Sequence, residues 1–199
     1  APTYRRVEVA DLDAAHLPQL FAPAGYDAIV CADVLEHIRQ SPRVLAECRA
    51  LLAPGGRLLL SIPNAGYAGL VAELMAGEFR YRREGLLDET HVRFFTRRTL
   101  MRFLREHGWV DVQADVITRQ LPDSEFNVAF DALPPAVARH LLALPDALTY
   151  QFIVVARPAA ADEALVQPEP EVEPPAQALV STQLYWAHGQ GFADDRKLV

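Results

Sequence analysis

Short apolar runs alternate along the chain with stretches that place apolar residues at helical spacing. Residues 28–32 (AIVCA) and 57–63 (RLLLSIP) are apolar almost throughout, as expected for strands buried on both faces of a sheet. Between them, residues 41–52 place their apolar side chains on one face of a helix. A strand, a helix and a second strand in this order predict a βαβ unit with parallel strands and a right-handed crossover.

Local signals place the boundaries of the other elements. Ser41 is a suitable N-cap, Pro42 suits the first helical position, and Pro54-Gly55-Gly56 ends the helix. Weaker patterns predict a strand at 6–10, a short helical or irregular segment at 16–21, a helix at 67–75, a helix capped by Thr96 and ended by Gly108, a strand at 109–118, a partly helical region around 136–144 and a strand at 150–156. The last two strands suit the antiparallel edge of a mostly parallel sheet.

Residues 78–95 show no sustained periodicity, although they carry many large and charged side chains. A long segment of this kind inside a compact domain is typical of a functional loop or lid. The helix that follows it carries four arginines, which we interpret as a solvated face rather than an anion-binding site: Arg97, Arg98, Arg102 and Arg105.

Composition divides the chain into three parts. Residues 1–158 hold the predicted strands and helices and form one domain. Residues 159–178 are rich in Pro, Glu and Ala, which predicts an extended, charged linker. Residues 179–199 regain Leu, Tyr, Trp and Phe, and we interpret them as the start of a following domain or a tail.

Charge and cysteine content narrow the class of protein. The net charge of -7 and the pI near 5.3 argue against a general nucleic-acid surface, so we expect no nucleic-acid partner. Cys31 and Cys48 follow no metal or redox spacing, and we interpret them as small core residues. No apolar run approaches the ~20 residues that cross a bilayer, and the first residues lack a signal-peptide core. We therefore expect a cytoplasmic protein.

Candidate chemistry follows the predicted strands. Asp33, Glu36 and His37 come directly after the first apolar run, and Asn64 follows the second. Ligands of open α/β sheets bind beyond the carboxyl ends of the strands, so these groups lie where a ligand is expected. The alternative is that Asp33 caps a turn while Glu36 and His37 are solvated.

Three segments together resemble the later motifs of class I S-adenosylmethionine-dependent methyltransferases: YDAIVCADVLEH, LLAPGGRLLLSIPN and FRYRREGLLDETHVRFFTRRTLMRFLREHGW. They are most similar to bacterial methyltransferases with "DVLEH", "SIPN" and "GLLDxTHxRFFT" signatures, which are often fused to glycosyltransferases of cell-surface polysaccharide synthesis. The resemblance covers residues 7–156. It implies an α/β, Rossmann-like sheet, mostly parallel with an antiparallel edge, and S-adenosylmethionine as cofactor.

One part of the family pattern is missing. The family begins with a strand and a glycine-rich loop, followed by a strand that ends in an acid, whereas residues 6–11 (RVEVAD) match the family's third strand. We therefore expect the C-terminal three quarters of the domain, an N-terminally incomplete sheet with about five of the family's seven strands.

The resemblance implies residue roles on the cofactor side. Asp11 would accept a hydrogen bond from the adenine amino group, and Leu12 would pack on the adenine ring. Cys31 and Ala32 would offer backbone carbonyls to the methionine amine, with Asp33 close by.

On the acceptor side, the resemblance implies a pocket lined by Asn64, Tyr81, Asp88, His91 and Arg93. Where the acceptor is a hydroxyl, His37 or His91 is the candidate general base, because an unperturbed imidazole titrates near pH 6.5. The alternative for His91 is a hydrogen bond that only fixes the loop.

Asp33, Glu36, His37 and His91 also admit a divalent metal site. The pattern is similar to the Glu-x-x-Glu-His plus His site of small-RNA 2′-O-methyltransferases, where a metal engages ribose hydroxyls as a Lewis acid. Mixed nitrogen and oxygen ligands suit Mg²⁺, Mn²⁺ or Zn²⁺. We do not expect a metal as the first interpretation.

The resulting expectation is O-methylation of a sugar, a glycan or a small metabolite in cell-surface polysaccharide synthesis. One alternative is a non-catalytic module that docks on or tethers a fused or associated glycosyltransferase. A second is a metal-dependent enzyme of the 2′-O-methyltransferase type. A sheet edge without a partner strand would also favour a homodimer.

Overall fold

The computed structural model describes residues 6–126, 130–161 and 163, which contain a four-stranded sheet. The strands are β1 (Tyr26–Ala32), β2 (Leu52–Pro63), β3 (Trp109–Thr118) and β4 (Thr149–Pro158), in the spatial order β1-β2-β4-β3. β1 and β2 are parallel, and β4 is antiparallel to both of its neighbours. Three strands therefore run in one direction and β4 in the other. The expected α/β fold with a mostly parallel sheet and an antiparallel strand is confirmed.

Five helices of the described residues connect or flank these strands: α1 (Leu17–Leu20), α2 (Ser41–Leu51), α3 (Ala68–Met75), α4 (Arg97–Glu106) and α5 (Pro135–Ala143). α2 forms the predicted crossover between β1 and β2. None of the helices described for residues 6–126, 130–161 and 163 has the length and apolar character that a membrane crossing requires.

Two helix N-termini show how well the boundaries follow from sequence. Thr96 caps α4 as predicted: its hydroxyl accepts from the amide of Thr99, whose hydroxyl accepts from the amide of Thr96. The prediction for Ser41 is wrong by one residue, because α2 begins at Ser41 and Gln40 occupies the N-cap. The Ser41 hydroxyl is buried and has no hydrogen-bond partner in the described part of the chain, so it does not cap the helix.

The main core lies between the sheet and helices α2 and α4. It contains Leu45, Leu58, Trp109 and Phe152, all fully buried. Cys31 and Cys48 are free thiols in the same core, which confirms them as small core residues. Because α2 and α4 both pack on this core, the loops that follow β1 and precede α4 are held at the same edge of the sheet.

The prediction of a strand at residues 6–10 is wrong. These residues pair with no strand of the described sheet, and Val9 is 98% exposed. A strand needs a hydrogen-bonded neighbour and a face to bury, and the alternating valines of this segment find neither here. The sheet of the described residues accordingly has four of the strands that we expected, not five.

The beginning of the predicted linker is anchored to the domain. The amide of Ala159 donates to the carbonyl of Gly108 at 2.9 Å, and Glu163 forms a two-pronged ion pair with Arg157 at 2.7 and 2.8 Å. The boundary at residue 159 stays a prediction. The rest of the predicted linker and residues 179–199 lie outside the described residues.

The loop at residues 78–95 is irregular, as predicted, and an ion pair ties its first part to α3. The carboxylate of Glu73 is almost fully buried. It accepts two hydrogen bonds from the guanidinium of Arg82 and one from the amide of Arg80. The guanidinium of Arg82 also lies over the ring of Phe126, 4.6 Å from its centroid. This anchor fixes where the loop leaves α3.

We expect Glu73→Gln to lower the free energy of unfolding by about 2 kcal/mol, since it removes one partner of a buried charge pair. Glu78→Gln is the matched control. It breaks the neighbouring ion pair with Arg80, which is exposed and screened by solvent, so its loss should be much smaller. Urea denaturation of both variants measures the difference, and equal losses would show that the Glu73 anchor does not hold the loop.

Candidate functional site

The site begins where β1 ends. Asp33 follows the strand with φ of +52°, a left-handed conformation that Asp tolerates better than most residues. Its amide donates to the hydroxyl of Ser61 at 3.0 Å, and the Ser61 hydroxyl donates to the Asp33 carboxylate at 3.1 Å. The side-chain amide of Gln151 donates to the same carboxylate oxygen. The ends of β1, β2 and the start of β4 thus meet at Asp33.

Glu36 lies in a one-turn 3₁₀ helix, Leu35–His37, and is only 1% exposed. Both of its carboxylate oxygens are buried without a hydrogen-bond partner among the described residues. Burial, and then the negative charge of Asp33, raise the pKa of Glu36 to about 7. A buried carboxyl without a partner is costly, so a group of this kind points to a proton or a ligand that it holds.

Hydrogen bonds define which nitrogen of His37 carries the proton. The hydroxyl of Thr90 donates its only proton to the carboxylate of Asp88, whose pKa the two Thr90 hydrogen bonds lower. Thr90 must therefore accept at its oxygen from Nδ1 of His37, 2.9 Å away. The lone pair of the neutral His37 ring is then on Nε2.

His91 is held in the same tautomer by a different contact. Its Nδ1 lies 3.1 Å from the carbonyl of Leu86 and donates to it, which leaves Nε2 unprotonated. Burial lowers the pKa of His91, so the neutral ring is favoured. The His37 and His91 rings contact each other edge to face, with centroids 4.6 Å apart.

Glu36, His37 and His91 each offer one ligand atom, and these three atoms lie within 4.8 Å of one another. A carboxylate without a partner beside two imidazoles held through Nδ1 is a donor set that a divalent cation accepts. Asp33, the fourth residue of the expected metal set, is not in this group; its carboxylate is bonded to Ser61 and Gln151 instead.

A cavity of about 560 Å³ opens beside these groups. Its ionisable lining groups are five carboxylates, one guanidinium and the two imidazoles: Asp33, Glu36, Glu84, Asp88, Glu125, Arg119, His37 and His91. Pro63, Gly85, Leu86, Tyr150 and Gln151 complete the wall. The candidate site therefore combines the carboxyl ends of β1 and β2 with the loop and the first residues of β4.

The far wall of the cavity is built around Glu125. Its carboxylate accepts from the amide of Leu86 at 3.1 Å and from the hydroxyl of Tyr150 at 3.0 Å. Burial and the nearby Glu125 charge raise the pKa of Tyr150, so the phenol keeps its proton and donates it. Arg119 lies over the Tyr150 ring, 3.9 Å from the centroid, and 3.9 Å from Glu125.

Sequence reasoning missed this wall, although a signal for part of it was present. Tyr150 and Gln151 begin the last predicted strand, and that strand was already expected to be antiparallel. The amino end of an antiparallel strand lies beside the carboxyl ends of its neighbours. Applying this rule would have added Tyr150 and Gln151 to the site. Arg119 and Glu125 follow β3 in a segment without a recognisable pattern.

Of the residues predicted to line the acceptor pocket, Asp88 and His91 line the cavity, and three others do not. Asn64 is buried, and its side chain bonds to the carbonyls of Thr149 and Asp146 and to the amide of Gly66. Arg93 donates to the carbonyls of Ile38 and Arg39. Tyr81 is exposed, and its ring contacts that of Phe79 edge to face. The roles of Asn64, Arg93 and Tyr81 toward an acceptor stay predictions.

The predicted cofactor residues lie at or before the end of β1. Asp11 is exposed, and its carboxylate accepts from the amide of Asp13 within the same turn. Leu12 is half-buried against the main core. Cys31 points into that core, whereas Ala32 is exposed at the end of the strand. Their roles toward a cofactor stay predictions.

A family model described as a methyltransferase domain matches residues 4–114, more than half of the chain. The chain belongs to this methyltransferase domain family. The matched part includes β1, β2, the loop and all of Glu36, His37 and His91.

Curated relatives of this methyltransferase domain carry related names. A ubiquinone biosynthesis O-methyltransferase of Burkholderia pseudomallei is 32% identical over 88 residues, which are 43% of this chain and 37% of that protein. The enzyme of the same name from Xylella fastidiosa is 37% identical over 60 residues, 30% of this chain and 24% of that protein. The matches thus span well under half the length of these relatives.

Among solved structures, a putative methyltransferase from Bacillus halodurans is similar to this methyltransferase domain at a TM-score of 0.46. The two are 16% identical, and the match covers 70% of this chain and 67% of the other. The family assignment depends on the sequence match alone.

Gly85 shapes the far wall, and its substitution tests this. Its φ is +95°, and a Cβ there would lie 2.4 Å from Oε1 of Glu125. Gly85→Ala combines backbone strain with this clash, and we expect it to cost about 3 kcal/mol of unfolding free energy. Gly77→Ala is the control, since Gly77 has φ of +80° but open space around it. It should cost about 1 kcal/mol. Thermal and urea denaturation measure both, and equal losses would contradict the described wall.

Proposed function

We propose that this domain transfers a methyl group from S-adenosylmethionine to a hydroxyl oxygen of an acceptor bound in the cavity. The observation that carries the proposal is the pair of imidazoles at the cavity wall, both of which present an unprotonated Nε2 beyond the carboxyl end of β1. Membership of the methyltransferase domain family and relatives named O-methyltransferases support it.

Asp33 is the proposed partner of the cofactor's ammonium group. Its carboxylate stands at the carboxyl end of β1 and carries no ion pair among the described residues, so its charge is available to a cation. Asp11 and Leu12 are the proposed contacts to adenine, and Cys31 and Ala32 the proposed backbone contacts to the amine. When bound, the cofactor supplies an electrophilic methyl group on a sulfonium.

His37 is the proposed general base. Its Nε2 would accept the hydroxyl proton of the acceptor, which frees the oxygen to take the methyl group that the bound cofactor would supply. Thr90 and Asp88 act as positioning residues, because their hydrogen bonds keep the Nδ1 proton in place and leave Nε2 free. Much of the rate enhancement comes from alignment, with reacting atoms held ~3 Å apart.

Calorimetric titration of S-adenosylhomocysteine into the chain tests the cofactor site. We expect binding that Asp33→Asn weakens about tenfold, the effect of one charge-assisted hydrogen bond. Asp27→Asn is the control, because Asp27 is an exposed residue at the opposite end of the same strand. Absence of binding would contradict the cofactor proposal for this chain and favour the docking or tethering module.

Transfer of a labelled methyl group to catechol, glucose and tyramine tests the base. We expect His37→Gln to lower kcat at least about a hundredfold with little change in KM, and Thr90→Val to lower it less. His140→Gln, an exposed imidazole on α5, should be unaffected. A His37→Gln enzyme with normal kcat would exclude His37 as the base and direct attention to His91.

A second candidate function is metal-assisted O-methylation, favoured by the carboxylate of Glu36 beside His37 and His91. These three residues would hold the cation, which would supply Lewis-acid polarisation of the acceptor hydroxyl. The fit lies in the chemistry of the donor set: the carboxylate has no other partner, and both rings are fixed in the tautomer that ligates through Nε2.

Metal binding has a readout that does not depend on activity. We expect Mn²⁺ to raise the melting temperature of the chain and to give a bound electron paramagnetic resonance signal, and Glu36→Gln to abolish both. Glu89→Gln, an exposed carboxylate on the same loop, is the matched control. If Mn²⁺ leaves the melting temperature of the wild-type chain unchanged and gives only the signal of the free ion, the metal site is excluded.

The finer proposal is that the acceptor is a sugar or glycan of cell-surface polysaccharide synthesis, with a fused or associated glycosyltransferase as partner and a homodimer as assembly. The support for the sugar acceptor and the glycosyltransferase is the resemblance carried by the "DVLEH", "SIPN" and "GLLDxTHxRFFT" segments. The support for the homodimer is that β1 forms an edge of the sheet in the described residues.

A further inference from the structure

The cavity carries an unusual excess of negative charge. Five carboxylates line it, and its one guanidinium, Arg119, pairs with Glu125 and lies against the Tyr150 ring. The other four carboxylates, on Asp33, Glu36, Glu84 and Asp88, have no ion-pair partner among the described residues. Like charges that converge on one space repel each other unless a ligand compensates them.

The negative charge around the cavity is not confined to solvated side chains, because one of the carboxyl groups is buried. Glu36 is 1% exposed, contributes to the cavity wall and has both carboxylate oxygens without a partner. Unpartnered buried oxygens retain their full capacity to accept hydrogen bonds from whatever enters the cavity. An anionic ligand would meet repulsion from these groups, whereas a cation or a hydrogen-bond donor would be attracted.

The lining groups of the cavity form two sets that differ in chemistry. Glu36, His37 and His91 each offer one ligand atom within 4.8 Å of the others, and they suit a hydroxyl. Glu84 lines the cavity beside Gly85, on which a Cβ would force the Glu125 carboxylate to shift. Glu84 is free of structural hydrogen bonds in the described residues, so its carboxylate is available to a ligand.

We propose that the acceptor carries a protonated amine in addition to its hydroxyl, and that Glu84 binds the ammonium group while the hydroxyl faces His37 and His91. The assignment of the hydroxyl rests on the proposed function, but the preference for a cation depends only on the charges around the cavity. The same charges exclude acceptors that carry a carboxylate or a phosphate.

Three matched pairs of hydroxylated probes test the charge preference: ethanolamine against glycolate, tyramine against 4-hydroxyphenylacetate, and glucosamine against glucuronate. Titrations followed by amide NMR of the full chain, in EDTA and with or without S-adenosylhomocysteine, give the dissociation constants and the resonances that move. We expect the amine of each pair to bind at least about fivefold more tightly, to shift the Gly85 amide, and to lose this advantage at high salt.

Glu84→Gln should reduce the preference for the amine about threefold or more, and Glu89→Gln should leave it unchanged, since Glu89 lies on the same loop but outside the cavity. Equal binding of amines and acids, no movement of the Gly85 resonance, or equal effects of the two variants would overturn the proposal. Binding of S-adenosylhomocysteine tests the proposed function separately. A failure of the amine preference can therefore be told apart from a failure of the proposed function.

Discussion

The backbone carbonyl of Glu36 joins the two halves of the site. It accepts from the amides of Val92 and Arg93 at 2.8 and 3.1 Å, and so fixes the long loop to the turn that follows β1. One residue therefore presents an unpartnered carboxylate on its side chain and anchors the loop through its main chain. The alignment of His91 with His37 depends on this junction, because Val92 directly follows His91. The ion pair of Glu73 with Arg82 fixes the other part of the loop, so contacts hold the loop on both sides of His91.

The elements that follow from local patterns were predictable from the sequence. The apolar runs predicted β1 and β2 as strands, and α4 has a threonine cap and a glycine stop. The expected burial of β1 on both faces is wrong for the described residues, because β1 is an edge strand of their sheet and Val30 is 65% exposed. The convergence of Glu36, His37 and His91 was among the alternatives raised by the sequence, since Glu36 and His37 share one turn and His91 lies in the loop.

Other parts depend on tertiary contacts that no local pattern records. Residues 6–10 alternate like a strand, but a strand exists only where a neighbour offers hydrogen bonds. Asn64 follows β2 at the ligand edge, yet its side chain donates to the carbonyls of the distant residues Asp146 and Thr149. Whether a polar side chain at the end of a strand faces a ligand or the scaffold is decided by the segment packed against it. For Asn64, that segment lies more than eighty residues later in the chain.

The position of β4 has a kinetic consequence. It is the last strand of the described chain but lies in the middle of the sheet, between β2 and β3. During synthesis, β2 and β3 therefore wait with unpaired edges until residues 149–158 have left the ribosome. Pairings of such long sequence separation are slow to form, because the loop-closure entropy must be overcome first. Tyr150 and Gln151 arrive with that strand, so the cavity closes in the same late step that completes the sheet.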